Sequence, residues 1–444
     1  MSKWNRDPSK EVPSLKLWLT SNDSGVHNAT EYLYSAFLSE SDKPIRKPLV
    51  YKSAISVLLL NFATSRSSQG KLITKKIKLS KSGFPSPYHY INPHKIGKTI
   101  FFLVYDFFLS LGYMNEALGS GSSKTYAGKL TNIQSTVSMI KIFNKYSIEQ
   151  SVVDNYSKQP AITLKDINGK FDPCGFRELK PTKSFIERFV NVASKNTIEH
   201  PCFVTIYPHI TRKFKPNLRS HGRFYGQWQL IPSKFKASTL NEYPSLKKYN
   251  LKVGDSVRKL TTINGKEIAE VDYKACFPFM LYHKLGLDYP YDDNDPYQIK
   301  CLFDGFSEKA QRSVTKIAFQ CLLNGKSSPE KALVKSNKLG VMQGLFTGKG
   351  SEQKAKVVIE AIEIKHSLLQ KAFNQKNPVG FELMYLESII AMRVVSHFLE
   401  KQVICLPIHD SFLIEAQYAE ELELIMKNKY HDKLNFYPVV KRDY

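Results

Sequence analysis

Residues 307–328, SEKAQRSVTKIAFQCLLNGKSS, constrain this chain more than any other stretch. Ser307 followed by Glu308 opens a helix, and Gly325 ends it. Val314, Ile317, Ala318, Cys321 and Leu322 recur at i, i+3, i+4, i+7 and i+8, which makes one side a core stripe. Arg312, Lys316, Gln320 and Asn324 fall at successive i+4 positions along the opposite side, two cations and then two amides. A solvated face is the ordinary account of such a row. Yet solvated faces usually mix in acids, and none occurs between Arg312 and Asn324. A row of donors also suits a triphosphate, whose oxygens take several fixed cations and hydrogen bonds.

What partner such a helix would serve is a question of charge. Lys and Arg number 64 against 40 acids, a net of +24. An excess of that size is self-repulsive in a compact fold unless a polyanion offsets it, and counterion release makes nucleic acid the leading candidate. A generally basic solvated surface is the alternative. With 444 residues and 42 % hydrophobic composition the chain is expected to form two or three globular domains. TIFFLVYDFFLSLGYM is its longest near-apolar run, and Asp106 interrupts it, so no membrane span is expected. The polar start MSKWNRDPSKEVPS shows no secretory core. Six scattered cysteines without a CxxC pair point to a reducing, cytoplasmic setting.

Along the chain, LVYKSAISVLLLNFATS reads as a helix and residues 64–95 as an irregular basic segment. A second apolar helix follows at about 96–111, then a hairpin with a glycine-rich tip, then a helix from Thr136. Helix, basic linker, helix and hairpin resemble a winged-helix DNA-binding module; a plain helical domain with one long loop reads nearly as well. PAITLKDINGKF reads as a strand with an Asn-Gly turn, and TKSFIERFVNVASKN as a helix. From about residue 200, short strand-like runs alternate with cations and aromatic rings, a texture that suits a nucleic-acid strand. The expected division is a basic N-terminal region, 1–160, and a second region, 161–444.

Two carboxylates stand out in the second region. In KEIAEVDYKACFPFMLYHKLG, Glu270 and Asp272 share one face of a strand, and Asp272 lies at its end. Pro278 is expected to stop the strand before a helix begins. In PIHDSFLIE, His409 and Asp410 interrupt an apolar run. By themselves they are also what two strands joined by a polar turn would show.

The order of a strand-end Asp, a helix with R-x3-K, and His-Asp between apolar runs resembles motifs A, B and C of the family A DNA polymerases and the single-subunit, phage-type RNA polymerases. RSVTK and IHDSF look most like the RNA branch. The Gly-Arg of SHGRFYGQWQLIP is similar to the one preceding motif A in the DNA branch. The resemblance covers about residues 220–420. It implies an α/β (α+β) fold: a right-hand polymerase palm with helical fingers, after the mostly helical N-terminal region. It implies two Mg²⁺ ions held by Asp272 and Asp410, with His409 orienting the primer end and Lys316 and Arg312 neutralising the triphosphate. Gly222 and Arg223 would touch the primer-template backbone. Tyr273, Gln320 and Asn324 join the substrate-binding set, and Glu270 is added as an outer-shell metal partner.

The chain departs from these families in two places. Gln320 and Asn324 replace bulky groups that pack on the nucleotide. Phe277 replaces the small residue of the RNA branch and the Glu of the DNA branch. DYKACFP also resembles the D-x3-L-Y-P of family B DNA polymerases, whose Tyr blocks a ribose 2′-hydroxyl. Phe277 is therefore expected to favour deoxyribonucleotides. No pair of closely spaced acids before residue 200 resembles a proofreading exonuclease. The leading expectation is a small DNA polymerase of DNA replication acting on primer-template and nucleoside triphosphates. An RNA polymerase or primer-making enzyme comes second, and a non-enzymatic DNA-binding replication protein third. The acidic run YPYDDNDPY is unassigned: a solvated loop, or the holder of a cation.

Overall fold

The structure is a computed structural model. It describes residues 16–17, 19–41, 45–63, 76–79, 93–118, 131–148, 162–164, 180–203, 206–207, 209–214, 222–290, 295–299, 302–325, 328–337, 346, 348–373 and 378–444. The chain divides into two units. One comprises Met1–Pro160, Pro201–His209 and Pro232–Asp255, the other Ala161–His200, Ile210–Ile231 and Ser256–Tyr444. Sequence reading puts everything after residue 160 in the second unit, whereas two short later segments pack with the first. Segments without a hydrophobic period carry no signal for which core they join.

The first unit contains α1 (Ser24–Ser39), α2 (Pro48–Ala63), β1 (Lys76–Leu79), α3 (Lys98–Ser110), β2 (Met114–Leu118), β3 (Thr131–Ser135) and α4 (Val137–Lys145). The helices start at side-chain caps where the sequence offers them. Asp23 accepts from the Val26 amide at 3.1 Å and Thr136 from the Met139 amide at 3.5 Å. Helix α2 is buried along its whole second half, from Ala54 to Ala63 apart from Ser56, so it forms the middle of a core shared with Leu33, Phe101, Phe108 and Phe143. The three strands form an antiparallel sheet in the order β1-β3-β2. Most of the basic stretch 64–95 and the glycine-rich hairpin tip lie outside the described residues.

The second unit opens with β4 (Ile162–Leu164), α5 (Lys180–Ala193), β5 (Ile198–Glu199), β6 (Ile210–Phe214) and β7 (Phe224–Gly226). The Asn-Gly turn expected after β4 lies outside the described residues. Between β7 and β8 the chain runs through the first unit's third segment, with the short α6 (Thr239–Glu242). It then forms β8 (Thr262–Ile263), β9 (Lys266–Tyr273), α7 (Cys276–Lys284), α8 (Glu308–Leu323), α9 (Pro329–Asn337), α10 (Ser351–Lys365) and α11 (Val379–Glu400). Last come β10 (Leu406–Ile408), β11 (Ser411–Glu415), α12 (Ala419–Leu434) and β12 (Val440–Arg442). The class is α+β. One sheet has the order β10-β11-β9-β8-β5, with β12 also paired to β9, and all its pairs are antiparallel. A smaller one, β4-β6-β7, contains one parallel pair.

Strand β9 has neighbours on both edges and is covered on both faces, so it lacks a clean polar alternation. Its odd-numbered residues turn toward α12, where the Tyr273 hydroxyl donates to the Met426 carbonyl at 2.8 Å. Glu270 and Asp272 point the other way. The strand ends at Tyr273, five residues before the proline expected to stop it. Pro278 instead sits in the first turn of α7, where a missing N–H costs nothing. Among the described residues no helix is long and apolar enough to cross a membrane, and Cys276 and Cys405 are buried free thiols.

Candidate active site

Two strand ends meet in the second unit. Strands β10 and β11 form a hairpin whose turn is His409–Asp410, with Ile408 opposite Ser411. Ser411 is in turn opposite Asp272 on β9, and the Tyr273 amide donates to the Asp410 carbonyl at 3.0 Å. Asp272 and Asp410, 138 positions apart in the chain, are thereby neighbours. Both turns are conformationally strained: His409 has φ +57° and Ala275, just after β9, has φ +45°. Left-handed backbone at a residue with a Cβ costs about 1–2 kcal/mol. Such strain persists only where surrounding structure holds it.

The hairpin is held from behind. The buried Trp228 indole donates to the Pro407 carbonyl at 3.0 Å, and the Gln229 amide donates to the same oxygen at 2.8 Å. Gly226 is needed for this arrangement, because a Cβ there would lie 2.2 Å from the Trp228 ring.

In front of the two aspartates lies a cleft of about 570 Å³, a volume suited to one small ligand. Its walls include Asp272, Asp410, His409, Phe277, Arg223, Lys274, Arg312, Lys316, Gln320 and Lys441. Desolvation, then Asp443 and Asp410, push the Asp272 carboxyl up from 3.8 to about 6. Burial also raises Asp410, while Arg223, Lys316 and Arg258 pull it back. One Asp272 oxygen, Oδ1, is buried and accepts no hydrogen bond among the described residues. Two crowded carboxylates and an orphaned oxygen fit a bound cation, which would relieve all three costs. No cluster of three or more His, Cys, Asp and Glu suited to a metal occurs among the described residues. A Mg²⁺ site completed by substrate phosphates needs only one or two protein carboxylates.

Helix α8 supplies the opposite wall. Ser307 caps it, accepting from the Ala310 amide; Val314, Ala318, Cys321 and Leu322 are buried as the periodicity predicts, and Ile317, expected in the same stripe, is only partly buried. Lys316 is exposed and makes no ion pair among the described residues. Arg312 donates through Nε to Asp295 at 2.6 Å. Asp295 belongs to the acidic run, and this arginine is a cation that it pairs with.

Four expected site residues are placed otherwise. Tyr273 borders the cleft, but its ring is in the core against Phe412 and Tyr430, since the strand's alternation turns it away from Asp272. Glu270 accepts from Arg258 at 2.8 Å, Ser411 at 3.2 Å and Tyr444 at 2.9 Å, so protein donors take both its oxygens and it lines no part of the cleft. Asn324 caps the end of α8, donating to the Gln320 carbonyl at 2.7 Å. Gly222 is buried with φ +49°, against Ser388 and Tyr385 of α11, and its carbonyl accepts from the buried Arg212 at 2.7 Å. Packing, not contact with a ligand, requires a glycine there. Arg223 does reach the cleft. It lies 5.3 Å over the Phe277 ring and pairs with Glu387 of α11 at 2.5 Å. Desolvation lifts the fully buried Glu387 to about 7 despite its partner.

Sequence reading missed Glu387, Lys274, Lys441 and Asp443. Lys441 lies opposite Asp272 in the β12 register and is ion-paired with Asp443. Only Lys274, two residues after Asp272, had a local signal. No protein-family model matches the chain, and no curated protein is significantly similar to it.

Proposed function

We propose that the second unit is the catalytic part of a template-directed nucleotidyltransferase, a small DNA polymerase. The observation that carries the reading is the meeting of Asp272 and Asp410 at one end of a cleft whose other wall is the cation row of α8. In the reaction a primer 3′-hydroxyl attacks the α-phosphate of a nucleoside triphosphate. The hydroxyl gives up its proton to solvent, a phosphodiester forms, the bond from the α-phosphorus to the bridging oxygen breaks, and pyrophosphate leaves. Asp272 and Asp410 are the groups that would hold Mg²⁺, which would supply charge neutralisation at the reacting phosphate. Lys316 and Arg312 take up the charge of the β- and γ-phosphates. His409, fixed beside Asp410 by the strained turn, orients the primer end. Phe277, backed by Arg223, walls the cleft where a sugar would lie and disfavours a 2′-hydroxyl. The antiparallel sheet bearing both aspartates is the palm of this reading, and α8 belongs to its fingers. In the first unit, helices α1, α2 and α3 with a β1-β3-β2 sheet, β1 lying between α2 and α3 in the chain, suit a winged-helix-like DNA-binding module.

The test is extension of a primed template with Mg²⁺ and either nucleotide set. Asp272→Asn and Asp410→Asn should each lower the rate by at least about 10³-fold, an effect of about 4 kcal/mol on the barrier. DNA binding should be kept or improved, because negative charge near phosphates is lost. Extension at wild-type rates in either variant would remove the two-aspartate assignment.

A further inference from the structure

Arg312, Lys316 and Gln320 of α8 all converge on one residue from outside the helix, Tyr297. The guanidinium lies 5.5 Å and the Lys316 Nζ 5.9 Å from its ring centroid, and its hydroxyl meets the Gln320 amide. The ring is 3 % exposed and packs edge-on against Phe319. Two positions earlier, the Asp295 carboxylate takes the Arg312 Nε–H at 2.6 Å, and no hydrogen bond to protein engages the terminal nitrogens among the described residues. The segment is itself fastened. Lys365 donates to the carbonyls of Asp295 at 3.2 Å and Gln298 at 2.6 Å, and His366 Nε2 lies 2.9 Å from the Pro296 carbonyl.

We propose that Asp295 and Tyr297 are positioning residues: a rack that holds the α8 cations ready for a polyphosphate. The inference rests on the cleft's being a triphosphate site. Long cationic side chains lose rotamer freedom when they grip a phosphate, and side chains already held by an aromatic ring and a carboxylate lose less. Asp295 leaves the forked end of Arg312 for two phosphate oxygens, the bidentate geometry that arginine favours. The rack therefore strengthens binding of substrate and transition state alike, which appears in KM and not in kcat.

The sign of one substitution separates this role from simple charge. Asp295 is an anion beside an anion-binding cleft, so if its charge alone mattered, Asp295→Asn would bind polyphosphate more tightly. The rack requires the opposite. Binding of inorganic tripolyphosphate by calorimetry, and nucleotide KM and kcat on a primed template, are to be measured for the wild type, Asp295→Asn, Tyr297→Leu and Tyr297→Phe. Asp295→Asn and Tyr297→Leu should each weaken tripolyphosphate binding and raise KM by about tenfold, with kcat within about twofold. Tyr297→Phe keeps the ring and should stay within about threefold of wild type. Tighter or unchanged binding by Asp295→Asn, or a Tyr297→Leu variant equal to Tyr297→Phe, overturns the proposal. So does a wild type that binds no tripolyphosphate. A wild type that binds it and shows these differences, yet extends no primer, leaves the rack standing and removes the polymerase reading.

Discussion

Asp272 shows how much of the chemistry rests on single side chains. Its carboxyl titrates near 6 in the folded protein against an ordinary 3.8, chiefly because burial disfavours the charged form. The folded state therefore holds this proton more tightly than the unfolded chain does. Ionisation of Asp272 lowers stability, a cost absent below about pH 4 and complete above about pH 6. Asp272→Asn removes the cost, so in Mg²⁺-free buffer the variant should be more stable than wild type by about 1–2 kcal/mol at pH 8 and equal to it at pH 4. Denaturant melts at the two pH values check this, and equal stability at both would mean that Asp272 is not crowded. Phe277 makes a second residue-scale case. It is 5 % exposed and lines the cleft under Arg223. A 2′-hydroxyl directed at that ring must displace it or be rejected. Phe277→Ala should raise ribonucleotide use by at least about tenfold, with less change for deoxyribonucleotides. A wild type that uses both equally well would shift the reading to an RNA polymerase, which RSVTK and IHDSF favour.

The element that governs the site is the β10–β11 hairpin, and its position depends on a contact far away in sequence. Trp228 and Gln229, 179 and 178 positions distant, both donate to the Pro407 carbonyl. The Trp228 ring is fully buried and Gly226 lies against it, so an added methyl has nowhere to go. Gly226→Ala should lower stability by about 3 kcal/mol, the upper range for overpacking. It should also slow extension beyond what the loss of folded protein accounts for, because displacing Trp228 frees the hairpin that carries Asp410. A variant with wild-type melting behaviour would show that the ring can move. Helix α11 has a similar structural part. It supplies Glu387 to Arg223 and Ser388 to the guanidinium of Arg212, and so joins the Gly-Arg segment to the cleft wall.

At the scale of the whole molecule the net charge of +24 is the dominant quantity. If the polyanion that offsets it is DNA, as the proposed function requires, affinity should fall steeply with salt, each phosphate contact adding about 0.9 to the log–log slope. Exposed cations on the first unit, Lys98 and Lys141 among them, should share in it if that unit touches DNA. The double variant Lys98→Glu with Lys141→Glu should reduce the slope by about two and leave the nucleotide KM unchanged. Duplex binding titrated at several salt concentrations decides it, and an unchanged slope would take these two lysines off the DNA.

Local patterns carried much of the outcome. The period of 307–328 determined α8 and its buried stripe, the apolar runs around His409 and Asp410 determined a hairpin, and Glu270 and Asp272 fell on one strand face. Such features need only neighbours within a few residues, whose spacing the chain itself dictates. Which side chains on those elements reach the cleft was decided by the tertiary structure. Glu270 and Asp272 share a face, yet Arg258, Ser411 and Tyr444 take the first and leave an oxygen of the second without a donor. Asn324 continues the cation row on paper but falls at the helix end, and Tyr273 is turned into the core. Glu387, Tyr297 and Lys441 come from an interior helix face, an acidic loop and an edge strand, none with a local signature of a site. Burial, partner and direction are properties of packing between distant segments, and no periodicity within one segment encodes them.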